Sequence, residues 1–149
     1  MENNNNYIAE KLNHLIGIAE DGKEGYQNAA ENLKDAAIKN SFILLSQDRA
    51  QYATQLRKQV YQLIGETEND GGGPIGMLHR VWMDLKSVFT GGDTVAIVNA
   101  CITGEEAAVK DYTDALNDSI ITENIKLIIA DQLKSIQQAL SNLKTYVVS

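Results

Sequence analysis

The sequence predicts an all-α protein, a four-helix bundle made of two antiparallel helical hairpins joined by a long crossover that contains a short helix. Apolar residues recur at three- and four-residue spacing along four long segments, which is the pattern of helices packed side by side. A single proline leaves those segments uninterrupted. With 149 residues and 44% hydrophobic content, the chain suffices for one core, so we expect one domain, residues 1–149.

The first two apolar stripes form the first predicted hairpin. One extends from Ile8 to Leu33 and the next from Ile38 to Leu63. Asp35 lies in the short joint between them, where its carboxylate suits the N-cap of the second helix. Because short joints favour antiparallel neighbours, we expect these two helices to pack against each other in opposite directions.

The third and fourth stripes form a second hairpin of the same kind. The third extends from Val95 to Leu116 and is preceded by Asp93, a second predicted N-cap. The fourth extends from Ile125 to Val147 after another short joint. The two hairpins are similar in length, which favours packing along their whole length.

The middle connection, residues 65–92, is too long for a turn and predicts a crossover along the bundle, with the second and third helices parallel. Apolar residues recur at helical spacing within it, which predicts a short helix from about Pro74 to Phe89. Trp82 lies on the apolar side of that helix. We expect it to pack onto its own bundle; the alternative is that it marks an interface with another protein.

Three of the four stripes are interrupted by a polar residue near the middle, and the first, which is unbroken, carries Gly22 at the same predicted height. Arg49 stands where the second stripe should carry an apolar residue, and Glu105 interrupts the third at the same predicted height. An unpaired buried arginine is costly, so we predict that Arg49 points inward and pairs with Glu105, in the place of a metal's positive charge. The full predicted mid-bundle layer is Gly22, Tyr26, Arg49, Tyr52, Glu105, Tyr112 and Gln132.

Four segments carry a family resemblance. They are DGKEGYQNAAENLKD (21–35), RAQYATQL (49–56), LHRVWMDLKSVFTGGD (78–93) and GEEAAVKDYTDAL (104–116). Together they resemble an uncharacterised bacterial ferritin-like four-helix-bundle family, a domain of unknown function. The resemblance implies the ferritin-like fold and a bacterial cytoplasmic protein. It implies no established reaction, and the stress response attached to such proteins is an association.

Metal-dependent members of the wider ferritin-like superfamily bind two ions through a Glu from each of two helices and a Glu-x-x-His pair from each of the others. Neither His14 nor His79 has a glutamate three residues earlier. The comparable position on the second helix is Arg49, which cannot ligate a metal. We therefore expect no di-iron site and no cofactor. The alternative is a carboxylate-only iron or manganese site formed by Glu24, Glu105 and Glu106.

The charge and composition of the chain limit the classes of partner that it is expected to bind. The formal charge of -7 argues against nucleic acid and against anionic membrane surfaces, since both require a basic face. We find no signal peptide and no membrane-spanning stretch, and expect a cytoplasmic protein. Cys101 is the only cysteine, so no internal disulfide forms and we expect it beside the core.

Two function classes remain open. The first is a non-catalytic bundle that binds a protein partner or a second copy of itself, in a stress setting. The second is a degenerate metal-binding protein of the iron or manganese oxidase or storage type. The missing histidines and the arginine in the stripe favour the first class, so an enzyme is the less favoured reading.

Overall fold

The computed structural model describes residues 2–66, Trp82 and residues 93–147. Those residues form helices and short joints without any strand, which confirms the all-α four-helix fold. The predicted short helix from Pro74 to Phe89 lies outside the described residues, apart from Trp82 itself. The helices are α1 (Glu2–Asn32), α2 (Ala36–Ile64), α3 (Thr94–Leu116) and α4 (Glu123–Thr145).

Both predicted N-caps are confirmed. The Asp35 carboxylate accepts a hydrogen bond from the Ile38 backbone N–H at 3.0 Å, and Asp93 accepts one from Val95 at the same distance. Each cap satisfies a backbone donor that the first turn of a helix leaves free. At its other end α2 stops at Gly65, whose φ of 74° is a left-handed conformation that glycine adopts without steric cost. The second and third helices therefore begin where the sequence predicts.

Side-chain contacts near the start of α1 give the directions of α2 and α3. Asn5 donates to the backbone carbonyl of Leu63 at the end of α2, at 3.2 Å. Tyr7 donates to the Asp118 carboxylate just after α3, at 2.6 Å. The C-terminal ends of α2 and α3 therefore lie together, so these two helices run parallel to each other and antiparallel to α1. This confirms the prediction that the second and third helices are parallel.

Helix α4 runs antiparallel to α3. Gln132 bonds Tyr112 in the second half of α3, whereas Lys144, later in α4, lies 3.8 Å from Glu106 in the first half. Helices α1 and α4 each pack against both α2 and α3, and within the described residues the backbones of α2 and α3 do not approach each other. Helices α2 and α3 are therefore diagonally opposite across the bundle. None of the described helices is long and apolar enough to cross a membrane.

Two predictions at the ends of the stripes differ from the structure, one in burial and one in the helix boundary. Val95 is 51% exposed, because the buried stripe of α3 begins at Ile97 and Val98 and the first turn extends past it into solvent. Val147 does pack against the core, but it lies beyond α4, which ends at Thr145. Both differences fall at helix ends, where neighbouring helices no longer cover a full turn.

Candidate functional site

The centre of the bundle holds a buried ion pair. Arg49 Nη1 donates to Glu105 Oε1 at 2.6 Å, and Nη2 donates to Oε2 of the same carboxylate. The exposed fractions of the two side chains are 3% and 0%. Because Arg49 lies on α2 and Glu105 on α3, this bidentate contact spans the diagonal of the bundle and uses both carboxylate oxygens.

The residues around the Arg49 guanidinium leave space for it and place aromatic rings against it. A Cβ on Gly22 would lie 3.3 Å from Arg49 Nη1, so the glycine on α1 leaves the space that this group occupies. The rings of Tyr26 and Tyr52 lie with their centroids 5.4 and 5.7 Å from Arg49 Cζ, within the range of cation–π attraction. The predicted neighbours from α1 and α2 therefore surround the arginine.

The electrostatics of the site favour the charged form of Arg49. Burial disfavours the charge on Arg49, but attraction to Glu105 and the hydrogen bonds between them outweigh burial and raise the pKa of Arg49. Burial, followed by the negative charge of Glu105, raises the pKa of Tyr26 well above its ordinary value. The Tyr26 hydroxyl and Arg49 Nε are buried without a hydrogen bond of normal geometry. We call Gly22, Tyr26, Arg49 and Glu105 the charged half of the layer.

A second, neutral network lies beside it. The Tyr112 hydroxyl donates to Gln132 Oε1 at 2.7 Å, and Gln132 Nε2 donates to Gln55 Oε1 at 2.9 Å. The same amide nitrogen lies 3.4 Å from the Tyr52 carbonyl, which connects the network to the ring beside Arg49. Sequence reasoning missed Gln55; its signal is the three-residue spacing from Tyr52, which places both on one face of α2. We call Gln55, Tyr112 and Gln132 the neutral half of the layer.

The three carboxylates of the alternative metal site are not brought together. Glu105 is buried with both oxygens bound to Arg49, whereas Glu24 is exposed and Glu106 is 56% exposed beside Lys144. Within the described ranges, no group of three His, Cys, Asp or Glu side chains could hold a metal ion. These residues therefore do not fit a carboxylate-only iron or manganese site.

The remaining candidate groups lie apart from the layer or are inert. His14 is 54% exposed and its Nε2 lies 3.2 Å from Asp111 Oδ2, on the surface between α1 and α3. His79 lies outside the residues that the structure describes. Cys101 is buried, and burial raises the pKa of its thiol well above the ordinary value. A neutral buried thiol is a poor nucleophile, so Cys101 serves as a small core residue.

Trp82 packs onto its own bundle, as predicted. Its side chain is only 7% exposed, and its ring centroid lies 5.7 Å from that of Tyr26. Gly25 on α1 and Gly104 on α3 make room for the indole, since a Cβ on either glycine would overlap it. Sequence reasoning did not assign a role to these two glycines. Each of them immediately precedes a residue of the charged half, Tyr26 or Glu105.

Comparison with known proteins places the chain in a family. No protein of curated function matches it significantly. A family profile described as "Domain of unknown function (DUF2383)" matches residues 7–118, which is more than half of the chain. That span contains the whole charged half and, apart from Gln132, the neutral half as well. The chain therefore belongs to the DUF2383 family, a domain of unknown function.

Proposed function

We propose that this protein is a non-catalytic four-helix bundle that works by binding a protein partner or a second copy of itself. The observation that supports the non-catalytic part is the bidentate contact between Arg49 and Glu105 at the centre of the bundle. In metal-dependent ferritin-like bundles, side chains that project inward from the four helices hold the ions. In this chain a buried ion pair lies at the centre of the bundle instead. The association of such proteins with stress stays a prediction.

The chemistry of these groups favours a structural role for the layer. Arg49 can neither ligate a metal nor give up its proton, and Glu105 has no free oxygen for an ion or a substrate. Tyr112, like Tyr26, has a pKa raised by burial, so both hydroxyls keep their protons at neutral pH. A general base would need a pKa near the working pH and access to a substrate. Neither half of the layer supplies such a group.

Metal content tests the proposal against its main alternative. Untagged protein is incubated with iron(II) or manganese(II), dialysed, and analysed for metal per chain by mass spectrometry of the digested sample. We expect far less than one ion per chain, because Glu105 is committed to Arg49. The variants are Glu105→Gln, which removes a ligand of the alternative site, and Glu31→Gln, an exposed control outside that site. One ion per chain that is lost in Glu105→Gln and kept in Glu31→Gln would overturn the proposal.

The binding part of the proposal needs a separate measurement. Multi-angle light scattering of the purified chain distinguishes a second copy from a different protein as the partner. A mass of two or more chains, independent of added metal, supports self-association. A mass of one chain leaves a different protein as the partner, to be sought by crosslinking in cells under stress. A metal-dependent turnover of any substrate by the purified chain contradicts the non-catalytic assignment.

A further inference from the structure

The indole of Trp82 lies between the backbones of two helices. A Cβ on Gly25 would overlap Cε3 and Cζ3 of the indole, and a Cβ on Gly104 would overlap Cζ2 and Cε2. Those four atoms all belong to the six-membered ring, so α1 and α3 both approach the same ring through bare backbone. We call this space, bounded by Gly25, Gly104 and the Tyr26 ring, the glycine notch.

The two glycines of the notch destabilise their helices, and the group that fills the notch must offset this loss of stability. Glycine in the interior of a helix is less favourable than alanine, because the unfolded chain has more conformational freedom to lose. Two such glycines face each other here, in α1 and α3, and both contact one side chain. Burial of a large flat aromatic group against both backbones supplies the compensating energy. The notch is therefore matched to a flat aromatic group rather than to a branched aliphatic one.

We propose that the glycine notch is a binding site for a flat aromatic bicycle, that Trp82 is its resident occupant, and that free indole binds there when the Trp82 side chain is removed. The Trp82 side chain is 7% exposed, and a buried apolar space takes up aromatic molecules of its own shape. The occupant also covers the charged half from the α1–α3 side, because Tyr26 and Glu105 directly follow the two glycines. This inference is independent of the proposed function.

The main experiment titrates the Trp82→Gly variant with indole. Trp82 is the only tryptophan, so the fluorescence of added indole is read without interference from another one. We expect saturable binding, a blue shift of the indole emission, and a rise in Tm of about 3 °C at tenfold excess over Kd. The double variant Trp82→Gly/Gly104→Ala, in which a Cβ fills the notch, should bind no indole. A helical Trp82→Gly protein that shows no emission shift and no gain in Tm contradicts the proposal.

A second experiment keeps Trp82 in place and closes the notch instead, so that it applies even if Trp82→Gly fails to fold. Gly104→Ala should expel the indole, shift the Trp82 emission to the red and expose it to acrylamide quenching. The matched control is Thr103→Ala on the exposed face of the same helix, which should leave Trp82 emission unchanged. An unchanged Trp82 emission in Gly104→Ala would mean that the notch does not hold the indole, and would overturn the proposal.

Discussion

The charged half and the neutral half of the layer meet in the same core but tolerate change differently. In the charged half, Arg49 and Glu105 carry full opposite charges and satisfy each other through two hydrogen bonds. In the neutral half, Gln132 shares its amide between Tyr112 and Gln55. Removing one member of a buried ion pair leaves a charge without a partner, whereas removing one member of a neutral network leaves only uncharged groups unsatisfied. The charged half therefore behaves as one unit and the neutral half as separable contacts.

The largest effect is expected for Arg49→Ala. It leaves the Glu105 carboxylate buried without its partner and opens a cavity beside Gly22. We expect a loss of about 3 to 5 kcal/mol in the free energy of unfolding, measured by urea titration at neutral pH. Removing both charges at once with Arg49→Met/Glu105→Leu should restore most of that loss or exceed the natural stability, because no charge is then buried.

Arg57 supplies the matched control for that prediction. It pairs with Glu20 at 3.3 Å, but both side chains are about a quarter exposed, at 27% and 25%. A partly exposed pair that solvent still screens contributes little, about 1 kcal/mol. Arg57→Ala should therefore cost far less than Arg49→Ala. Equal losses in the free energy of unfolding from the two substitutions would contradict the claim that burial makes Arg49 and Glu105 depend on each other.

The charged half could be predicted from the sequence for a physical reason. A charged residue inside an apolar stripe must find a partner, and the equal lengths of the stripes place Glu105 opposite Arg49. The same reasoning placed the capping residues Asp35 and Asp93, since the first turn of each helix needs an acceptor. Where a local physical rule allows only one arrangement, the spacing of residues along the sequence is enough to predict it.

The remaining features depend on how helices meet, which periodicity does not describe. Gln55 lies at the edge of its stripe, and only the approach of α4 brings Gln132 within reach of it. Gly25 and Gly104 are separated by most of the chain, and their common role appears only when the indole of Trp82 lies between them. Val95 has the spacing of the third stripe, but it lies beyond the part of α3 that neighbouring helices cover. Helix offsets and crossing angles, which decide such contacts, vary too widely to be read from spacing alone.

A smaller loss is expected in the neutral half for Tyr112→Phe. The substitution removes the donor to Gln132 Oε1 and keeps the ring in place, so the cost is that of one buried acceptor left unsatisfied. We expect a loss of about 2 kcal/mol in the free energy of unfolding. Tyr61→Phe is the control, because that side chain is 61% exposed and should change little. A loss as large as that of Arg49→Ala would remove the distinction between the two halves.

The smallest effect per residue is expected at high pH, where the two halves can be compared through their tyrosines. Burial raises the pKa of Tyr26 and of Tyr112 above the ordinary value of 10.0, so the unfolded chain loses these protons before the folded chain does. Their contribution to stability is therefore complete below pH 10 and is lost as the pH rises through the folded-state pKa, by about 1.4 kcal/mol per pH unit for each tyrosine.

Urea titrations between about pH 8 and pH 11 separate the tyrosine of the charged half from that of the neutral half. Tyr26→Phe and Tyr112→Phe should each reduce the alkaline loss of stability by a similar amount, since both hydroxyls are buried. At neutral pH the two variants should differ. Tyr26→Phe removes a hydroxyl that makes no hydrogen bond of normal geometry and costs less than Tyr112→Phe, which breaks the bond to Gln132. If Tyr26→Phe is the more damaging of the two at neutral pH, its hydroxyl supports Glu105 directly and belongs to the indivisible unit.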